Sequence, residues 1–202
     1  MARSKEQMDA MGTLNNPWGV CGFTSSLYAL YENSPTLRGE LTSGAKVSTR
    51  VVAEIKSFLV QLEADGNSKT LAEIASFTSS FAGFGGFTIA DYIRRINAVA
   101  AKNQSYAKGD FSIAMPPEAV VAYLKYIGFR NARVVTDASK KELVLGVADP
   151  GGPLKQYGGL CHYLYKNDPT IYSWARKFPS VEKAAEFAGK KYTVCAMISP
   201  HG

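Results

Sequence analysis

The sequence predicts an α+β fold, in which a helical N-terminal half packs on a C-terminal antiparallel sheet. Apolar residues recur at helical spacing through the first part of the chain, whereas the later part consists of short strand-like runs between turns. Cys21 begins the first helical run and His162 lies in one of the strand-like runs. We therefore expect one domain over residues 1–202, with a helical lobe over about 15–128 and a sheet lobe over about 130–199.

Six helices and five strands are expected in order. Each helix is indicated by apolar periodicity and by local start and stop residues, such as Thr88 before the fourth helix and Gly128 after the fifth. The strands are rich in β-branched and aromatic residues and are separated by turns that contain proline and glycine. The expected helices span about 21–31, 49–62, 69–76, 89–101, 119–127 and 180–187, and the strands span 132–135, 142–147, 160–165, 170–174 and 192–198.

The segment 77–87 combines phenylalanine, glycine and serine without a regular period. A phosphate-binding loop is disfavoured, because no Gly-Lys-Ser or Gly-Lys-Thr follows it and no strand clearly precedes it. Two interpretations remain, a packed loop or the rim of a substrate cleft.

Composition excludes several classes of function. The net charge is +6, but lysine and arginine are scattered, which favours a solvated basic surface over nucleic-acid binding. Three cysteines without zinc-type spacing argue against a disulfide framework, and no metal or cofactor is expected. The N-terminus lacks the apolar core of a Sec signal, and no run of about 18 apolar residues indicates a membrane span. The location expected from composition is cytoplasmic.

The position of Cys21 suggests a nucleophile. It stands where a turn containing Pro17 and Gly19 becomes a helix, and the unpaired amides of a first helical turn stabilise a thiolate and lower the cysteine pKa. The chain has two histidines, and His201 is the penultimate residue. His162 is therefore the candidate partner, while Cys161 and Cys195 are expected to be core thiols.

Three local motifs resemble the papain-like cysteine peptidases. Gly19-Val20-Cys21 is similar to the family's Gly-Ser-Cys, and Asn15 stands six residues before the cysteine, where the family has its oxyanion-hole glutamine. Tyr172-Ser173-Trp174 is similar to the Asn-Ser-Trp that follows the family's histidine. The chain order, with a cysteine at a helix start and a later histidine on a strand, also agrees. Together the motifs cover about a fifth of the chain.

The resemblance implies a papain-like fold and a Cys21–His162 catalytic pair, with Asn15 or Asn16 and the Cys21 amide as oxyanion donors and Trp18 as a cleft wall. Tyr172 stands where the family has its orienting asparagine, which leaves the third catalytic residue open. Asp168 is the favoured candidate because it follows the histidine in the chain. Asp149, Asn167, Ser173 and Tyr172 are further candidates.

The expected reaction is cleavage or deamidation of an amide through a thioester intermediate. The resemblance is to bacterial cysteine-protease effectors and toxins, which implies a protein substrate and, as a further partner, a cognate inhibitor or immunity protein. It also implies, as an alternative to a cytoplasmic location, signal-independent injection into a target cell. Two other functions remain open. One is a peptidoglycan amidase acting on peptidoglycan peptides, and the other is a non-catalytic interaction module in which Cys21 is structural.

Overall fold

The computed structural model describes residues 19–34, 44–101 and 112–202, and in these residues the expected α+β architecture is confirmed. Six α-helices and one six-stranded antiparallel sheet are present in the described part of the chain. The helices are α1 (Cys21–Asn33), α2 (Gly44–Ala64), α3 (Ser68–Ser79), α4 (Ile89–Ala101), α5 (Pro117–Tyr126) and α6 (Val181–Phe187). The strands are β1 (Arg133–Val134), β2 (Glu142–Ala148), β3 (Leu160–Asn167), β4 (Thr170–Ser173), β5 (Arg176–Phe178) and β6 (Thr193–Ser199).

Helix α1 is the central helix of the helical half. Gly19 precedes it with φ of +57°, a left-handed conformation that favours glycine, and a Cβ at that position would lie 3.1 Å from Ser112 Oγ. Nine of its residues are buried, so the helix is enclosed on nearly all sides rather than along one stripe. It packs mainly against β3 and α5. The close packing fixes the position of Cys21 at the first turn.

The sheet has the strand order β1-β6-β2-β3-β4-β5. Between β2 and β3 the register shifts: Val147 pairs with His162, but Ala148 pairs with Leu160. Cys161 is therefore the extra residue of a β-bulge, and its thiol donates a hydrogen bond to the Val147 carbonyl at 3.5 Å. A bulge bends its strand and redirects the neighbouring side chains, and it occurs here beside His162.

The two faces of the sheet contribute to two apolar clusters. Tyr163 and Tyr165 of β3 and Tyr172 of β4 join the larger cluster with the helical half, where Tyr28 of α1 lies 5.9 to 6.2 Å from two of these rings. Leu145, Leu164, Ile171 and other residues form a smaller cluster with α6. Because helices cover the sheet on both sides, five of the eight residues of β3 are buried and none is exposed.

The structure differs from the expected elements in several places, including the start of α2, which lies at Gly44 rather than at about residue 49. It contains a further strand, β5, whose three residues are too few to show an alternating pattern in the sequence. Helix α3 continues to Ser79, into the segment expected to be a loop. A single 3₁₀ turn at Gln156–Gly158 precedes β3. In the part of the chain that the structure describes, no helix has both the length and the apolar character needed to cross a membrane.

The turn between β4 and β5 contains backbone strain. Trp174 and Ala175 connect the paired residues Ser173 and Arg176, with φ of +46° and +61°. These values are those of a two-residue type I′ hairpin turn, in which asparagine and glycine are usual. Left-handed conformations of other residues are strained and persist where the surrounding structure holds them, often at functional sites. This turn carries the indole that lies on His162.

We expect Ala175→Gly to raise the free energy of unfolding by about 1 kcal/mol, because glycine adopts the left-handed region without the Cβ clash. Urea unfolding of the purified variant measures the change. Ala188→Gly is the matched control, since Ala188 has φ of −80° and glycine there should destabilise the protein. A loss of stability in Ala175→Gly would contradict the strained turn.

Candidate active site

Cys21 and His162 line the same cavity, which has a volume of about 230 Å³. Its wall also includes Thr78, Phe81 and Phe84 from the α3 region and the segment after it. The wall of this cavity thus includes a helix-start cysteine of the helical half and a strand histidine of the sheet. We call this space the thiol cavity.

The Cys21 thiol lies between the start of α1 and strand β3. Burial raises its pKa from 9.0 to about 11, and the backbone N–H groups of Tyr163, Gly22 and Cys21 itself act in the opposite direction. The amides at the helix start do favour the thiolate, as the sequence predicts, but desolvation is the larger effect. The expected fall in the Cys21 pKa is therefore wrong. The thiol is protonated at neutral pH.

The ring of His162 is held from two sides. Its Nε2 lies 2.8 Å from the hydroxyl oxygen of Ser173, which is buried. The indole of Trp174 stacks on the imidazole with a centroid separation of 4.3 Å and an interplanar angle of 2°. Both neighbours come from the end of β4 and its strained turn, so this hairpin sets the orientation of the ring.

Burial also lowers the pKa of His162 from 6.5 to about 3, so its imidazole is neutral at physiological pH. When the proton is on Nε2 and is donated to Ser173, Nδ1 keeps a lone pair that can accept a proton. The side chains of Cys21 and His162 are both among the described residues, and the Cys21 thiol makes no hydrogen bond to the His162 ring. The resting pair is a thiol and a neutral imidazole, not a thiolate and an imidazolium.

This resting state predicts how alkylation of Cys21 depends on pH. Because only the thiolate reacts and the pKa is about 11, we expect the rate with iodoacetamide to rise about tenfold per pH unit from pH 5 to pH 9. Mass spectrometry of the peptide that contains Cys21 measures this rate separately from Cys161 and Cys195. A rate that is constant from pH 5 to pH 7 would contradict the neutral pair, since it would require a preformed thiolate.

Ser173 is the residue that the structure places beside the His162 ring, whereas Asp168 lies elsewhere. The Asp168 carboxylate is 3.1 Å from Lys166 Nζ, is 46% exposed and lines a separate cavity of about 420 Å³ next to α6. The ring partner is thus Ser173 and not the favoured candidate Asp168. Asp168 follows His162 closely in the chain, but β3 carries it away from the ring before the turn.

Tyr172, Asn167 and Asp149, the three remaining candidates for the orienting residue, make their described contacts with groups other than the His162 ring. Tyr172 belongs to the larger apolar cluster, and its ring centroid is 5.6 Å from that of Tyr165. Asn167 ends β3, where it pairs with residues of β2 and β4. The Asp149 carboxylate is 2.8 Å from Lys190 Nζ, which holds the pKa of Asp149 below the usual value.

A second cavity, of about 410 Å³, also has His162 in its wall. Phe81, Phe84, Cys161 and His162 line both spaces. Of the two interpretations of segment 77–87, the rim of a cleft agrees with the positions of Phe81 and Phe84.

The candidate oxyanion donors Asn15 and Asn16 and the candidate cleft wall Trp18 lie outside the described residues. They stay predictions.

The sequence indicates only a packing role for Trp174 and does not predict its stack on His162. A signal is nevertheless present, because the motif Tyr172-Ser173-Trp174 places a hydroxyl and an indole next to each other, but their direction depends on the turn after β4.

Within the residues that the structure describes, no group of three or more histidine, cysteine, aspartate and glutamate side chains could hold a metal ion. No protein-family model, curated protein or solved structure matches the chain. The likeness to papain-like peptidases thus depends on the motifs, the chain order and the cavity that Cys21 shares with His162.

Proposed function

We propose that the protein is a cysteine-dependent amide hydrolase of papain-like fold, with Cys21 as nucleophile and His162 as general base and acid. The observation that carries the proposal is the thiol cavity, which both side chains line although they belong to different halves of the chain. Two further contacts support it, the Ser173 hydroxyl at Nε2 and the indole on the ring face. A buried structural histidine needs a hydrogen-bond partner, but it does not need a cavity beside a thiol.

In the first half-reaction, Cys21 Sγ attacks the carbonyl carbon of the bound amide and its proton passes to Nδ1 of His162. The Sγ–C bond forms and the carbonyl oxygen becomes negatively charged. When the C–N bond breaks, the leaving nitrogen takes the proton from His162, and the acyl group remains as a thioester on Cys21. Because the resting thiol and imidazole are both neutral, the imidazole takes the thiol proton in the course of this half-reaction.

In the second half-reaction, a water molecule gives a proton to His162 while its oxygen attacks the thioester carbonyl. The C–S bond then breaks and the sulfur recovers the proton from the imidazole. The acid is released and the pair returns to its resting state.

The N-terminus of α1 supplies electrostatic support for the negative oxygen. The first helical hydrogen bond runs from the Thr24 N–H to the Val20 carbonyl, so the Cys21 N–H has no partner within the helix. An amide donor that is well placed for an oxyanion contributes about 3 to 4 kcal/mol to the transition state. Ser173 is a positioning residue in this scheme, because it contacts the ring and not the substrate.

Profiling with a synthetic peptide mixture tests the proposal. We expect the wild-type protein to generate new termini, or a mass gain of about one dalton at glutamine or asparagine, and Cys21→Ala to generate neither. Cys195→Ala is the matched control and should retain activity, because Cys195 does not line the thiol cavity. Cys195 is exposed, so the expectation that it is a core thiol is wrong. Identical products from wild type and Cys21→Ala would overturn the proposal.

A further inference from the structure

The two cavities beside His162 differ in one respect that bears on the reaction. The thiol cavity contacts both Cys21 and His162, whereas the second cavity contacts His162 and not Cys21. In the proposed reaction the acyl carbon bonds to the sulfur, and the departing nitrogen takes its proton from the imidazole. The space that is lined by His162 but not by Cys21 is therefore the one that we assign to the leaving group. We call it the leaving-group cavity.

The size of the leaving-group cavity distinguishes cleavage from deamidation. In deamidation the leaving group is ammonia, which is about as large as a water molecule, whose share of liquid volume is about 30 Å³. The cavity has about 410 Å³, more than ten times that volume. Such a space suits an amine that continues into further residues, as in a cleaved peptide.

The polar groups of this cavity indicate which kind of side chain the leaving residues have. Lys190 Nζ lies 2.8 Å from Asp149, whose side chain is 15% exposed, while the lysine side chain is 50% exposed. A lysine ammonium has three donors, so two remain after the bond to Asp149. Burial raises the pKa of the Tyr192 phenol, which keeps it protonated as another donor on the same wall. The aspartate is already paired, and the accessible donors match a carboxylate.

We propose that the leaving-group cavity is a binding site for the leaving portion of a peptide substrate and selects a carboxylate side chain or terminus there through Lys190 and Tyr192. The inference depends on the proposed function, because it assigns the leaving-group side of that reaction. It implies that the reaction is peptide cleavage and that the substrates are peptides with an acidic residue shortly after the scissile bond.

The test is the same peptide mixture, read at the residues that follow each cleaved bond. We expect wild type to favour aspartate and glutamate over their amides at the first positions of the leaving side by about tenfold in kcat/KM. Lys190→Ala should abolish this preference and Lys190→Glu should reverse it toward lysine and arginine. Lys191→Glu is the matched control, with the same charge change one residue along at a position that does not line the cavity.

The outcomes separate the two proposals. Cys21-dependent cleavage without an acidic preference, or with one that Lys190→Ala and Lys190→Glu leave unchanged, overturns the leaving-group site and keeps the hydrolase. Cys21-dependent mass gains of about one dalton without cleavage do the same, because they show that the leaving group is ammonia. If no product depends on Cys21, the hydrolase itself fails and the site falls with it. Thermal unfolding of Lys190→Ala confirms that a change in preference comes from a folded protein.

Discussion

His162→Gln should lower kcat/KM for a peptide that the wild-type protein cleaves by at least about 10³-fold, because the substitution removes the group that accepts the thiol proton. The burial of Cys21 makes this loss severe. A thiol with a pKa of about 11 supplies very little thiolate at neutral pH, so the variant has no preformed nucleophile. Hydroxide is then the remaining base, and the residual activity of His162→Gln should rise about tenfold per pH unit between pH 7 and pH 9.

The chain offers a matched control for this experiment in its other histidine. His201 Nε2 lies 3.0 Å from Glu142 Oε2, and His201 lines neither cavity beside Cys21 or His162. His201→Gln should therefore keep wild-type activity. The proposed role of His162 would be refuted by a His162→Gln variant that keeps kcat/KM within tenfold of wild type and unfolds at the wild-type urea concentration.

Phe23→Ala should reduce the free energy of unfolding by about 3 to 5 kcal/mol, which is a large part of the stability of a typical domain. Phe23 is fully buried in α1, and its ring lies 4.7 Å from that of Tyr123 and 6.1 Å from that of Phe58. Removing the ring leaves a cavity between α1, α2 and α5. Because α1 is enclosed by the rest of the fold, its neighbours have little room to close that space.

Urea unfolding followed by far-UV circular dichroism measures this loss. Phe187→Ala is the matched control, since Phe187 is 49% exposed on α6 and its truncation should cost about 1 kcal/mol. Equal losses in the two variants would contradict the central position of α1 in the core.

The sequence predicts most of the secondary structure, because helix formation depends on neighbours three and four residues apart and on local capping residues. The expected helix 89–101 coincides with α4, and Asp91 lies in its first turn. The final helix begins after Ser180, whose side chain accepts a hydrogen bond from the Lys183 N–H as its spacing predicts. The sequence does not predict strand β5, because Arg176–Phe178 is stabilised by pairing with β4 rather than by its own composition.

The candidate site likewise has a part that the sequence predicts and a part that only the structure shows. The sequence alone identifies Cys21 at a helix start, His162 as the candidate partner, and Ser173 among the residues that could orient the ring. The choice of Ser173 over Asp168 requires the strained turn after β4 and the bulge at Cys161, since both set the direction of side chains relative to the sheet. Neither feature has a periodic sequence signal.

The difference between local and tertiary effects is clearest for the protonation states of Cys21 and His162. A helix start indicates a lowered cysteine pKa from residues next to it in the chain, and those amides do act in that direction. The final pKa also depends on how much water the rest of the fold removes, and burial here prevails for both Cys21 and His162. Local sequence therefore determines which groups are present and on which elements, because these properties depend on neighbours in the chain. Tertiary packing decides which groups meet and how they ionise, because contact and desolvation arise from residues that are distant in sequence.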